Sequence, residues 1–165
     1  MPRFWCGILC FLLTSCLHQE QQNSEIRPGD PLPAFAVTMD DGTLLHSSRL
    51  LGSPSLILFF HTGCSDCRRT IPLVQQAYER FGDKVRFVAV SRAQSAGEIR
   101  SWWKEHAISL PFSAQSDESV YHLFATSRIP RIYISDAGGI VVRCYDDNPC
   151  PGLENLIQDL EELQP

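Results

Sequence analysis

Leu56-Ile57-Leu58-Phe59-Phe60 most narrows what this chain can become. Five apolar residues in a row show no polar alternation, so a strand here is covered on both faces and lies inside a sheet. The segment 65–81 that follows has helical spacing, with Ile71, Val74, Ala77, Tyr78 and Phe81 on one stripe. Pro72 falls inside that helix and is predicted to kink its second turn. At the seam stands Cys64-Ser65-Asp66-Cys67. Its first thiol meets the exposed N–H groups of a helix start, which favour a thiolate, and its second lies one turn on.

The rest of the chain repeats the alternation of strand and helix. Asp41-Gly42 between 34–38 and 43–46 signals a hairpin. Val85 to Val90 reads as a second buried strand, and Ser95-Ala96-Gly97-Glu98 as a capping box opening a helix to about His106. Ile99, Trp102 and Trp103 form its apolar face. A short helix over 119–125 precedes a strand over 131–135, a turn at 136–139 and a returning strand over 140–145. The last helix, about 153–163, turns Leu153, Leu156, Ile157, Leu160 and Leu163 inward. Strand-helix-strand units with short links predict an α/β fold: a sheet parallel at its centre, antiparallel at one edge, with helices on both faces.

The N-terminus reads as a leader. Arg3 precedes ten apolar residues, Phe4 to Leu13, too few to span a bilayer. Leu13-Thr14-Ser15-Cys16 resembles a bacterial lipobox, where a signal peptide is cut before a cysteine that takes lipid. This divides the chain into a signal peptide at 1–15, a lipidated tether at 16–27 and one domain at 28–165. An ordinary secretory signal or an uncleaved anchor is the plainer alternative. The lipobox reading implies an exported domain in the cell envelope, held to a bacterial membrane through Cys16. With Cys6 and Cys10 removed and Cys16 blocked, two pairs remain, Cys64 with Cys67 and Cys144 with Cys150. An even count in an oxidising compartment points to disulfides. The net charge of -5 gives no basic signature for nucleic acid.

Cys64-Ser65-Asp66-Cys67, Pro72 five residues later, Ile129-Pro130 before a strand, the closing hairpin around Asp136 to Gly139, and the opening stretch Pro28-Gly29-Asp30-Pro31 through Leu50-Leu51-Gly52 occur in one order. Together they resemble the thioredoxin superfamily, and within it the TlpA/ResA-like, AhpC/TSA-related, membrane-tethered thiol-disulfide oxidoreductases of bacteria. The resemblance implies a thioredoxin-like three-layer α/β/α sandwich with a mixed central sheet and an N-terminal β-hairpin. It implies Cys64 as nucleophile, Cys67 as resolving thiol and Pro130 as a cis-proline beside the sulfurs. Ile129 and Gly63 would then face the substrate, Ile129 offering backbone groups to an extended chain. Protein disulfides are the implied substrates and a membrane dithiol the electron donor. Neither a metal nor another cofactor is expected.

The chain also departs from that pattern. Gly63 stands where thioredoxins carry Trp, and Leu58 where they carry a buried Asp. His61 and Asp66 are candidates for tuning the thiols or moving their protons. The charge of Asp66 works against a Cys64 thiolate, with Arg68 and Arg69 offsetting it in part, which points to a reducing or mid-potential enzyme. Cys144 and Cys150 are not a standard feature of the family. They read as a local disulfide stapling a loop, or as a relay near the first pair. Three other readings compete. Four cysteines could hold zinc. A peroxiredoxin-like thiol peroxidase shares the core, but it needs Thr or Ser at the position of His61. A non-catalytic binding module is the third, and the intact cysteines argue against it.

Overall fold

The apolar run becomes β3 (Ser55–Phe60), the middle strand of a five-stranded sheet, with every residue buried. The computed structural model describes residues 25–164. The expected signal peptide, Cys16 and all but the end of the expected tether therefore lie outside the described residues. Ahead of β3, β1 (Ala36–Thr38) and β2 (Leu44–His46) form the expected hairpin as a separate two-stranded sheet. A 3-10 turn, Ser47–Leu50, follows. Then come α1 (Ser65–Phe81), β4 (Arg86–Ser91), α2 (Ala96–Glu105) and β5 (Phe112–Ser113). A second 3-10 turn (Tyr121–Leu123), β6 (Arg131–Ser135), β7 (Val141–Tyr145) and α3 (Leu153–Glu162) complete the domain.

The strand order is β5-β4-β3-β6-β7. β4 runs parallel to β3 and β5 parallel to β4, whereas β6 and β7 pair antiparallel. Leu58 lies opposite Ala89 on one side and Ile132 on the other. Side chains alternate across a strand, so this register sorts the core into two. Leu56, Leu58 and Phe60 pack with Ile71, Val74, Ile99, Trp103, Leu156 and Leu160 of the three helices. Ile57 and Phe59 pack with Phe35, Val37, Leu50, Tyr121 and Phe124.

The three α-helices among the described residues therefore share one face of the sheet. The crossovers β3-α1-β4 and β4-α2-β5 step the same way across it, and right-handed connections then put both helices on one side. The third layer of the sandwich is present, but the hairpin and the two 3-10 turns supply it in place of a helix. Phe59 anchors it, its ring 4.9 Å from Phe124 and 5.6 Å from Tyr121.

Most predicted elements stand within a residue or two of their places, and the differences have local causes. Residues 119–125 hold only a 3-10 turn, because so short a segment cannot sustain α-helical hydrogen bonding. β5, two residues long, shows no periodicity to read. On α3, Asp159 is buried beside Leu156 and Leu160. It accepts hydrogen bonds from Arg143 Nε at 3.0 Å and from the Tyr145 hydroxyl.

Candidate active site: a dithiol at a helix start

β3 ends at Phe60, three residues turn, and Cys64 becomes the N-cap of α1 with extended backbone. Its carbonyl accepts from Arg68 N–H at 3.1 Å, the first bond of the helix. The side chain is half-buried, and its thiol donates to the Ile129 carbonyl at 3.5 Å. Cys67, the third residue of α1, is fully buried in the helical-face core. Burial pushes its thiol strongly up, a backbone hydrogen bond from His61 pulls it down, and the Cys64 sulfur and Asp66 add to the rise. Both are free thiols. The pair thus combines an accessible sulfur at a helix N-terminus with a proton-holding sulfur beneath it.

Ile129-Pro130 meets this pair from β6, and its peptide bond is cis, as the resemblance implied. Arg128 carries φ of 71°, the left-handed region that a side chain disfavours. The loop is held from below: the Tyr121 hydroxyl donates to the Arg128 carbonyl at 2.6 Å, and Arg131 donates to the Ser127 carbonyl at 3.0 Å.

This arrangement of strand, dithiol, helix and proline loop falls within residues 28–144, the span matched by the AhpC/TSA family. The chain belongs to the AhpC/TSA family. Among relatives of this AhpC/TSA chain, thiol-disulfide oxidoreductase ResA of Bacillus subtilis (strain 168) is 24% identical over 139 residues, covering 84% of this chain and 76% of its own. Thiol-disulfide oxidoreductase YkuV of the same organism is 29% identical over 97 residues, 55% of this chain and 66% of its own. The solved thioredoxin domain of a thiol-disulfide oxidoreductase from Bacteroides vulgatus superposes with a TM-score of 0.73 at 21% identity. That alignment covers 85% of this chain and all of the other, and shows the same fold.

The loop before Cys64 is built around His61 and Gly63. His61 Nδ1 accepts the Gly63 N–H at 2.9 Å, and the His61 carbonyl accepts from Cys64 N–H at 3.0 Å. A Cβ at Gly63 would stand 3.0 Å from His61 Nδ1, so the glycine lets the imidazole fold over the turn. His61 therefore shapes the loop. Asp66 pairs with Arg69, on the exposed side of α1. Arg68 turns away and donates through Nε to the Thr62 carbonyl. Of the two arginines expected to offset Asp66, Arg69 is its partner and Arg68 ties down the loop. Pro72 lies inside α1 as read, and Leu58 is buried in the core beneath the motif.

Sequence reasoning missed Gln94. This residue, 5% exposed, sits just past β4 and clasps Thr62 twice. Its Oε1 accepts Thr62 N–H at 2.9 Å, and its Nε2 donates to Thr62 Oγ1 at 2.5 Å. Ser91 Oγ donates to the Gln94 carbonyl at 3.2 Å and accepts from Gln115 N–H at 2.8 Å. One signal was available, a polar residue just beyond the carboxyl end of a parallel strand, where sites in such sheets gather.

Cys144 stands on β7 and Cys150 in the loop that follows it. Cys144 packs with the core on the non-helical face, whereas Cys64 and Cys67 pack with the helical one. Among the described residues no three His, Cys, Asp or Glu side chains, these four thiols included, are grouped as a metal ion would require.

Proposed function

We propose that this chain is a thiol-disulfide oxidoreductase that exchanges the Cys64–Cys67 couple with protein disulfides in the bacterial cell envelope. The observation that carries the reading is Cys64 at the N-cap of α1, on the Ile129 carbonyl, with Cys67 buried one turn below. An extended substrate pairs with the backbone of Ile129 as an added strand, and Pro130, lacking an N–H, lets the sulfurs approach. The Cys64 thiolate attacks one substrate sulfur, forming a mixed disulfide and releasing the other sulfur as a thiolate, which takes a proton. Cys67 then gives up its proton and attacks the Cys64 sulfur. The Cys64–Cys67 disulfide closes and the second substrate thiol leaves. Two electrons pass from protein dithiol to substrate disulfide, and a membrane dithiol donor restores the couple.

The balance of charge at the motif favours a reducing or mid-potential enzyme. Asp66 places a carboxylate one residue before Cys67, and burial keeps the Cys67 proton in place. A thiolate stabilised less in the reduced form makes a weaker oxidant. The peroxidase reading is weaker, because His61 stands where a hydroxyl is required and its Nδ1 is occupied by the Gly63 N–H. In this reading residues 1–15 are removed, lipid on Cys16 holds the membrane, 16–27 is the tether, and 28–165 is the periplasmic domain.

Cys67→Ser tests the central claim by stalling exchange at the mixed disulfide. We expect envelope proteins covalently held through Cys64, released by dithiothreitol and absent in Cys64→Ser. Capture of nothing, or equal capture by both variants, would sink it. Equilibration of the wild-type couple with glutathione tests the potential, and a strongly oxidising value would count against a reductase. Radiolabelled palmitate tests the anchor, with label expected on the wild type and none on Cys16→Ser.

A further inference from the structure

β7 and the loop from it to α3 carry a second pair of thiols with no part in the chemistry above. A cavity of about 430 Å3 lies between this loop and the opening segment, lined by Glu25, Ile26, Arg131, Cys144, Tyr145 and Cys150 among others. Cys144, opposite Tyr133 on β7, directs its thiol at the Ile26 carbonyl, 3.6 Å away. Six residues later Cys150 directs its thiol at the Asp147 carbonyl, at 3.7 Å. Both are free, half-buried thiols, and among the described residues their hydrogen bonds are weak sulfur–carbonyl contacts. The loop between them turns back on itself, with Asn148 N–H on Asp146 Oδ1 at 2.8 Å and a cis bond at Asn148-Pro149. The family match ends at Cys144, so Cys150 lies beyond it.

We propose that Cys144 and Cys150 form a second redox couple, independent of Cys64 and Cys67, that exchanges two electrons with low-molecular-weight disulfides entering this groove. The volume falls in the range of small-molecule sites. Arg27 and Arg131 with Glu25 and Asp146 give its wall both charges, which suits a zwitterionic thiol compound. Cys150, as thiolate, attacks one sulfur of the external disulfide, forms a mixed disulfide and releases one small thiolate, which takes up a proton. Cys144 then loses its proton and attacks the Cys150 sulfur, expelling the second small thiol. Two protein thiols become one disulfide, and one small disulfide becomes two thiols.

The order follows from surroundings. Burial pushes Cys144 up to about 11, against the pull of Arg131, so its thiolate is scarce near neutrality and it acts second. Arg131, fixed by Glu25 at 2.7 Å, supplies positive charge when that thiolate forms. Closing the disulfide also removes the hydrogen that Cys144 gives to Ile26. The segment through which the tether joins the domain then loses a contact.

The test uses the full chain carrying Cys64→Ser and Cys67→Ser, equilibrated with reduced and oxidised glutathione and trapped by alkylation. Peptide mass mapping reads Cys144 and Cys150. We expect both alkylation sites to be lost together as oxidised glutathione rises, with a peptide joined through Cys144–Cys150 that dithiothreitol reopens under native conditions. In Cys144→Ser, a stable glutathione adduct should collect on Cys150. Thiols that stay alkylatable in the most oxidising buffer overturn the proposal, as do separate adducts on both cysteines. A disulfide reducible only after unfolding also overturns it, because the pair is then a fixed staple. The same mapping on wild-type protein decides the matter should the double variant not fold.

Discussion

Gln94 shows how a residue far from the motif in sequence holds the loop that leads into it. Thr62 is two residues before Cys64, and its buried N–H and hydroxyl are both satisfied by one side chain. Gln94→Ala leaves that N–H orphaned, and an unsatisfied buried donor costs about 1–3 kcal/mol. We expect urea unfolding to show a stability loss of that size, with a lower midpoint, together with altered reactivity of Cys64 toward iodoacetamide. Gln94→Glu keeps the acceptor for Thr62 N–H and loses the donor to Oγ1, so it should fall between. A midpoint unchanged in Gln94→Ala would mean the clasp is not formed in solution. The seating of the two thiols at a helix start and the cis bond at Pro130 were legible, because each is written in a short stretch of the chain. Gln94 was not, since its partner lies 32 positions away and only the parallel pairing of β3 with β4 brings the two loops together.

At the level of elements, the capping box on α2 was legible because it is written in four adjacent residues. Ser95 Oγ accepts the Glu98 N–H, and Glu98 reaches back to Ser95 N–H at 3.2 Å. Ser95→Ala should destabilise by about 1 kcal/mol, as loss of an N-cap does elsewhere, and thermal melts would read it. The bonds to Ser95 hold the Glu98 carboxyl below its ordinary value of 4.5. A lowered carboxylate contributes stability that is present above the unfolded value and is lost as pH falls through the folded one. Ser95→Ala should therefore also flatten the loss of stability below about pH 4.5. Equal acid slopes in both proteins would argue against the box. Long apolar patterns, as in β3, α1 and α3, were equally plain. The face on which α2 packs was not, because no local pattern records whether β5 adds beside β4 or elsewhere. That choice rests on Ala89 meeting Phe112 and on the hand of the crossover. The hairpin and 3-10 turns on the opposite face follow from it.

Over the whole molecule, both cores bury groups that ionise in alkali, and one of them, Cys67, belongs to the proposed redox couple. Cys67 lies in the helical-face core and Tyr133 and Cys144 in or against the other, while Tyr145 touches Asp159. Burial raises all four above their ordinary values, 9.0 for cysteine and 10.0 for tyrosine, with Cys144 reaching about 11 and Tyr145 about 12. Each keeps its proton in the folded chain at a pH where the unfolded chain has lost it. Above about pH 9 the unfolded state thus binds fewer protons, and stability must fall as pH rises. This stability is fully present below the ordinary values and is lost through the folded ones. Oxidation changes the sum, because a sulfur in the Cys64–Cys67 disulfide carries no proton. The oxidised protein should then lose stability less steeply than the reduced one between about pH 8 and about pH 10.5. Urea midpoints across that range, with and without dithiothreitol, measure the difference. Cys67→Ala should give the shallow slope in both conditions, since it removes the raised Cys67 thiol. Should Cys144 and Cys150 also close in oxidant, Cys144→Ser isolates the part due to Cys67. Parallel slopes in the two redox states would mean that Cys67 is solvated in the working enzyme. In that event the division of labour between an exposed attacking sulfur and a buried resolving one would fail with it.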